Sequence, residues 1–280
     1  MRFYIQYLMH ALRAQSRYQV HSPRVYALIE QVFRHPQPDP ICLPIEQLRA
    51  RLLRDHRSIW MQDYGAGSQA HQHQRPGRVR QETVSSIARR AAKPPVLAWM
   101  LFQLCRTLKP AMVVELGTSL GLTTAYLAKA APQASIITVE GAGAIAQQAQ
   151  QHFHQLGLDH IQLLHATFSE AIPHILSHLR SPFLLFVDGD HRYESTIAYV
   201  RAFLPFLHEG SCIVVDDIHW SREMMQAWET LCTDDRVNLS IDLFFMGLLF
   251  QDAGRFQPEH FRLRYPALSS WFHAISRKTS

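Results

Sequence analysis

The chain has 280 residues, 47% of them apolar and 18% charged, enough for one well-buried core with an appendage. No apolar run approaches the ~20 residues that cross a bilayer. Met1 to Arg17 lacks the apolar stretch and cleavage site of a signal peptide, and four scattered cysteines without a C-x-x-C argue against a disulfide framework or zinc module. These features predict a cytoplasmic protein. Charge is lopsided: the first 110 residues hold 17 of the 28 Lys/Arg but only 6 of the 23 Asp/Glu, and lysine occurs only at Lys93, Lys109, Lys129 and Lys278. Such an arginine-rich arm can grip an anionic partner, or it can pair with the acidic half or with a second subunit. No dense basic run and no RNA-binding module is legible in it, which favours pairing.

The first ~110 residues read as mainly helical. Phe3, Tyr4, Tyr7, Leu8, Ala11 and Leu12 form an i, i+3/i+4 stripe over Arg2 to Ala14. Ser22 and Pro23 read as the N-cap and first turn of a second helix, with Val25, Leu28, Ile29 and Phe33 on one face. Three prolines between His35 and Pro40 make a linker, since none can continue a helix. Further helices are expected over Ile45 to Leu53, Thr83 to Ala92 and Pro95 to Leu108. Ser58 to Ser68 looks like a strand ending in an acid (Asp63) and a glycine turn (Gly65, Gly67). The polar stretch behind it, Gln69 to Arg80, has no helical period. A phosphate-cradling turn needs that helix, so this segment reads as a loop near the site mouth or a plain surface turn.

From Met112 onward the chain alternates. Strands near 112–116, 135–140, 160–164, 183–188 and 211–216 interleave with helices near 121–131, 143–156, 169–179, 193–207 and 221–232. Alternation of this kind predicts a parallel sheet covered on both faces. Two strand-like runs around Asp242 read as a closing pair, and Cys212 reads as core packing at the head of a central strand.

The most informative segment is Val113 to Thr124: a buried strand ending in Glu115, then Gly117-Thr118-Ser119-Leu120-Gly121 and an apolar-periodic helix. A glycine turn between strand and helix brings backbone close to a nucleotide-like ligand. A second acid, in Glu140-Gly141, follows about 25 residues later at the tip of the next strand, where ribose hydroxyls are bound. Two more strands end in Asp188-Gly189-Asp190-His191 and Asp216-Asp217-Ile218-His219, so acids stand at four strand ends, where open α/β sheets hold their ligands.

With these motifs the chain resembles class I S-adenosylmethionine-dependent methyltransferases, in particular the catechol O-methyltransferase-like superfamily and its bacterial small-molecule O-methyltransferase relatives. Ser119 stands where the general motif has its middle glycine. The resemblance covers roughly residues 95 to 255. It implies a Rossmann-like α/β fold with a seven-stranded, mostly parallel sheet whose last strand is antiparallel. A helical extension over 1–94 and a tail over 256–280 would flank it. The His21-Ser22-Pro23 and Asp63 to Ser68 segments are similar to an N-terminal extension of one group of bacterial class I methyltransferases.

The resemblance also implies S-adenosylmethionine as cofactor, held by Glu115, Gly117, Thr118, Ser119, Gly121, Glu140, Gly141, Asp188 and, facing the adenine, Phe168. It implies Asp188, Asp216 and Asp217 as ligands of Mg²⁺ or Mn²⁺, a hard cation suited to carboxylates, although the relatives often carry Asn at the last position. Their catalytic lysine, shortly after the first metal aspartate, is absent from Asp190-His191-Arg192. His191 is therefore the first candidate for general base, with His219 the second, as base or extra metal ligand, and Asp188 completes the catalytic set. Asp190 and Asp217 can alternatively act only as helix caps, and Trp220 can line an aromatic acceptor or simply pack.

The Asn/Asp-Pro-Pro-aromatic turn of amine methyltransferases is missing, and no cysteine follows a proline as in pyrimidine C5 enzymes. The first reading is thus O-methylation of a small hydroxylated acceptor, with or without a metal. The alternative is a methyltransferase-fold protein that holds RNA or a protein through its basic arm, and an NAD(P)-dependent oxidoreductase is the third. Homodimerisation through the N-terminal region stays open.

Overall fold

A computed structural model describes residues 2–34, 38–63, 78–253 and 257–264. Its centre is a sheet of eight strands: β3 (Met112–Leu116), β4 (Ser135–Glu140), β5 (Gln162–His165), β6 (Phe183–Val187), β7 (Cys212–Asp216), β8 (Leu239–Asp242), β9 (Met246–Phe250) and β10 (Glu259–Arg262), in the order β10-β8-β9-β7-β6-β3-β4-β5. The pairs from β5 to β7 are parallel, and β9 runs antiparallel between β7 and β8, as the closing pair predicted. The unbroken apolar runs of β3, β6 and β7 are buried along their whole length because helices cover both faces. Alternate residues split between two cores. Val113, Leu184, Phe186 and Val214 share one with Phe102, Tyr126 and Phe153, while Val114, Leu185, Val187 and Val215 share the other with Ile175, Phe203 and Leu231.

The first core is roofed by α5 (Pro95–Leu108), α6 (Leu122–Ala130) and α7 (Gly143–Gln155), the second by α8 (Phe168–Ser177), α9 (Tyr193–Phe203) and α10 (Arg222–Cys232). α5 starts on Pro95, is apolar nearly all round and is correspondingly buried. Thr167, in a capping box with Glu170, starts α8, and Ser221 starts α10.

The N-terminal region supplies α1 (Arg2–Arg13), α2 (Pro23–Leu28, continued by a π turn to Phe33), α3 (Leu43–Leu52) and α4 (Val84–Ala91). Ser22 caps α2 through Val25 N, as expected. α1 leaves Ile5, Leu8, Met9 and Leu12 exposed. Between α3 and α4 lies a hairpin of β1 (Ser58–Asp63) and β2 (Arg78–Thr83). The strand expected at Ser58 is there. Its partner, Arg78–Thr83, lacks an alternating apolar pattern and was not foreseen. The glycine turn at 65–68, His71, His73 and part of the proline linker lie outside the described residues.

The sheet has an eighth strand where seven were expected. β10 comes from the segment read as a tail and pairs parallel with β8. Gln15 N donates to Arg262 O at 2.7 Å, so the arm meets β10 at this edge. Among the described residues no helix is long and apolar enough to cross a membrane.

Candidate active site at the carboxyl edge of the sheet

β3 and β6 are neighbours, but β3 connects to β4 on one side and β6 to β7 on the other. Ligands of open α/β sheets bind at this reversal of strand order. The glycine turn after β3 and the Asp188 loop after β6 close on it together: Asp188 N donates to Leu116 O at 2.9 Å. Gly117 has φ +113°, and a Cβ there would fall 2.1 Å from the Asp188 carbonyl oxygen, so no other residue fits. Ser119 holds the left-handed conformation of the glycine it replaces, with φ +48°. The turn, Asp188 and the small residues Ala88, Ala91 and Ala92 around the end of α4 line a narrow cleft.

The acids at the strand ends have diverged in role. Glu140 accepts from Ser119 N at 2.8 Å and Ala142 N at 2.9 Å. One carboxylate thus ties the tip of β4 to the glycine turn and keeps further lone pairs for other donors. Its burial raises its pKa, against the lowering effect of those amides. Glu115 is wholly buried instead. Thr138 donates to it at 2.7 Å, Thr124 donates to it as well, and Thr118 continues the chain through Thr138. Burial pushes the Glu115 carboxyl up to about 8, and Oε1 has no hydrogen-bond partner. Its place is beneath the turn, which it braces through hydroxyls. The Gly141 carbonyl accepts from His165 Nε2 at 3.2 Å. Phe168 opens α8 with its ring against Gly189 and edge-on to Tyr199, 5.4 Å between centroids.

The expected carboxylate metal centre is not assembled. The Lys93 ammonium stands 3.0 Å from Asp188 Oδ1 and also donates to Asp216 Oδ2. Burial works against its charge, but Asp188, Asp216 and Asp217 together outweigh burial and keep it protonated, its pKa above the ordinary lysine value. A fixed cation thus fills the space a divalent ion would need, and the three aspartates present do not fit a metal while Lys93 is there. Lys93 sits between α4 and α5. Arg49 Nη1 donates to its carbonyl at 2.6 Å, Glu46 pairs with Arg49, and Tyr126 donates to Glu46. No motif marks Lys93 in the sequence; its rarity as one of four lysines, just before two prolines, was the only available signal.

Asp217, in the left-handed region with φ +54°, lies 3.8 Å from His191 Nε2. His191 remains partly open to solvent. Asp190 is engaged locally by Arg192 and by Tyr199 Oη at 3.1 Å. His219 is not with Asp188 or Asp216: its Nε2 meets Asp242 at 2.9 Å. Trp220 is exposed rather than packed, and Cys212 is buried as expected.

The strand order and the glycine turn belong to a Rossmann-like fold that is shared with solved methyltransferases. Residues 114–218 match the family described as "Methyltransferase domain". Among solved structures, the O-methyltransferase from Bacillus cereus in complex with SAH is 15% identical over 77% of this chain and 92% of its own, with a TM-score of 0.53. SAH-bound methyltransferase PaMTH1 from Podospora anserina is 16% identical over 82% of this chain and 94% of its own (TM-score 0.53). The O-methyltransferase TomG from Streptomyces achromogenes, in complex with SAM and described as involved in tomaymycin synthesis, is 20% identical over 58% of this chain and 82% of its own (TM-score 0.51). No curated protein matches the sequence.

Proposed function

We propose that the protein O-methylates a small hydroxylated acceptor, using S-adenosylmethionine and an internal lysine ammonium in place of a divalent metal. The observation that carries this reading is Lys93 bridging Asp188 and Asp216 at the switch point, beside the glycine turn and Glu140. The turn's close backbone approach, the carboxylate of Glu140 and the Phe168 ring fit an adenosyl group, with the remaining Glu140 lone pairs toward its ribose. Bound S-adenosylmethionine supplies an electrophilic methyl on a sulfonium.

The chain's own residues then align the acceptor oxygen and remove its proton. His191 is the base: Nε2 faces Asp217, which leaves Nδ1 to take the proton and places a carboxylate beside the imidazolium that forms. The glycine turn, Glu140 and Phe168 would hold the cofactor, whose methyl group the deprotonated acceptor oxygen would take. Lys93 holds the Asp188 and Asp216 carboxylates together through one shared ammonium, so that their positions in the cleft are fixed.

The test is calorimetric titration with S-adenosylmethionine and S-adenosylhomocysteine, followed by a methyl-transfer screen of hydroxylated aromatics. Micromolar cofactor binding lost in Gly117→Val is expected. Turnover should not rise with added Mg²⁺ or Mn²⁺, and His191→Ala should lower kcat by about 10²–10⁴ with cofactor affinity retained. Absence of cofactor binding in folded protein, or turnover that demands Mg²⁺, overturns the reading.

A further inference from the structure

Three side chains from distant parts of the sequence meet near the outer end of the same sheet edge: His10 from α1, His219 from the loop after β7, and Asp242 closing β8. His219 Nε2 lies 2.9 Å from Asp242 Oδ2 and His10 Nδ1 lies 3.5 Å from Asp242 Oδ1, and one donor atom from each of the three falls within 4.8 Å of the others. His10 and Asp242 are each 5% exposed, and His219 is partly buried.

The His10 ring poses the chemical question. Its Nε2 is 3.2 Å from the Leu263 carbonyl, which can only accept, so that nitrogen carries the ring proton. Nδ1 is then a lone pair, buried, without a hydrogen-bond partner, and turned toward a carboxylate. Two electron-rich groups facing each other away from water call for a cation between them. Arg262 Nε, 3.5 Å from Asp242 Oδ2, is too distant to bond well and is itself buried without a hydrogen-bond partner, while Phe244 N donates to Oδ1 at 2.8 Å. Phe244 also fixes both imidazoles, stacked on His219 at 4.9 Å and edge-on to His10 at 5.4 Å.

We propose that His10 Nδ1, His219 Nε2 and the Asp242 carboxylate form a binding site for a divalent cation of the zinc class. Two imidazoles and one carboxylate are a donor set for Zn²⁺ or Co²⁺ rather than for Mg²⁺, and three protein ligands leave a fourth position open. On binding, the His219 ring keeps one proton, moved from Nε2 to Nδ1, and Asp242 exchanges its imidazole hydrogen bond for the ion. The ion would fasten α1 to the ends of β7 and β8. The site is separate from the Lys93 pair, and its occupancy can be measured without methyl transfer.

The experiment is titration of chelator-treated, dialysed full-length protein with Co²⁺, followed in the visible d–d bands, and then displacement by Zn²⁺. A single saturable site is expected, with affinity lowered at least about tenfold in His10→Ala, His219→Ala and Asp242→Asn. His174→Ala, which dismantles the exposed His174/His178 pair, should leave it unchanged. Should those variants fail to fold, zinc-edge X-ray absorption on the wild type decides: two imidazoles with oxygen support the site, whereas sulfur ligands or a single imidazole overturn it. No saturable band, or equal affinity in folded His10→Ala, also overturns it.

Discussion

Replacing Lys93 by methionine keeps much of the side-chain volume but leaves Asp188 and Asp216 facing one another without their shared cation. Removing one partner from a buried charge cluster costs about 3–5 kcal/mol. Lys93→Met should therefore melt well below the wild type at pH 7, recover as acid protonates the carboxylates, and be stabilised by Mg²⁺, which should leave the wild type's melting unchanged. Thermal melts with and without Mg²⁺ check all three. Glu115 makes a second single-residue test. Burial raises its carboxyl from 4.5 to about 8 in the fold. Between those values the folded state holds a proton that the unfolded state has lost, so this group's contribution to stability is present below about pH 4.5 and disappears as pH rises toward 8. The isosteric Glu115→Gln never ionises. Its stability should match the wild type near pH 4.5 and exceed it near pH 8 by a few kcal/mol, on the order of 3. Denaturant unfolding of both proteins across that range gives the difference directly, and a constant gap would show that Glu115 is ionised in the fold.

At the scale of elements, the site depends on where α4 ends. Thr83 caps α4 through Ser86 N, the helix stops at Ala91, and Pro94 and Pro95 restart the chain as α5. That short break aims Lys93 at the sheet edge, and Arg49 on α3 pins its carbonyl. On the far side of the sheet, β9 owes its fit to Gly247, where an added Cβ would sit 2.4 Å from the Trp228 ring of α10. Trp228 belongs to the second core and has little room to retreat. Gly247→Ala should destabilise by about 1–3 kcal/mol through overpacking, seen as a lower denaturant midpoint with an unchanged slope. An unaltered midpoint would mean that α10 yields freely. The helices and strands of the catalytic half were legible element by element, because burial on two faces demands unbroken apolar strands and capped amphipathic helices. β2 and β10 were not: Arg78–Thr83 and Glu259–Arg262 are polar, edge-forming segments stabilised by their partners' backbones rather than by a pattern of their own.

Across the whole molecule the basic arm resolves into pairs. Arg17 and Arg34 meet Glu30, Arg49 meets Glu46, Arg57 meets Asp55, Arg90 meets Glu82 and Arg106 meets Asp39, all within the first 110 residues. Arg24 with Asp252, and Lys93 with Asp188 and Asp216, tie the arm to the catalytic half. Most of these contacts are partly exposed and each adds little stability, but they show where much of the arm's charge goes. By itself the sequence determined the alternating fold, the glycine turn after β3 and the acids at the strand ends, because local periodicity, backbone conformation and residue type are written residue by residue. Only the tertiary structure decided that Glu115 is buried under the turn while Glu140 binds the turn's Ser119 amide, that a lysine from the arm pairs with Asp188 and Asp216, and that His10, His219 and Asp242 meet. The Lys93 pairs span 95 and 123 residues of chain, and His10 reaches Asp242 from the opposite end of the described residues, where side-chain identity is visible in the sequence but distance is not.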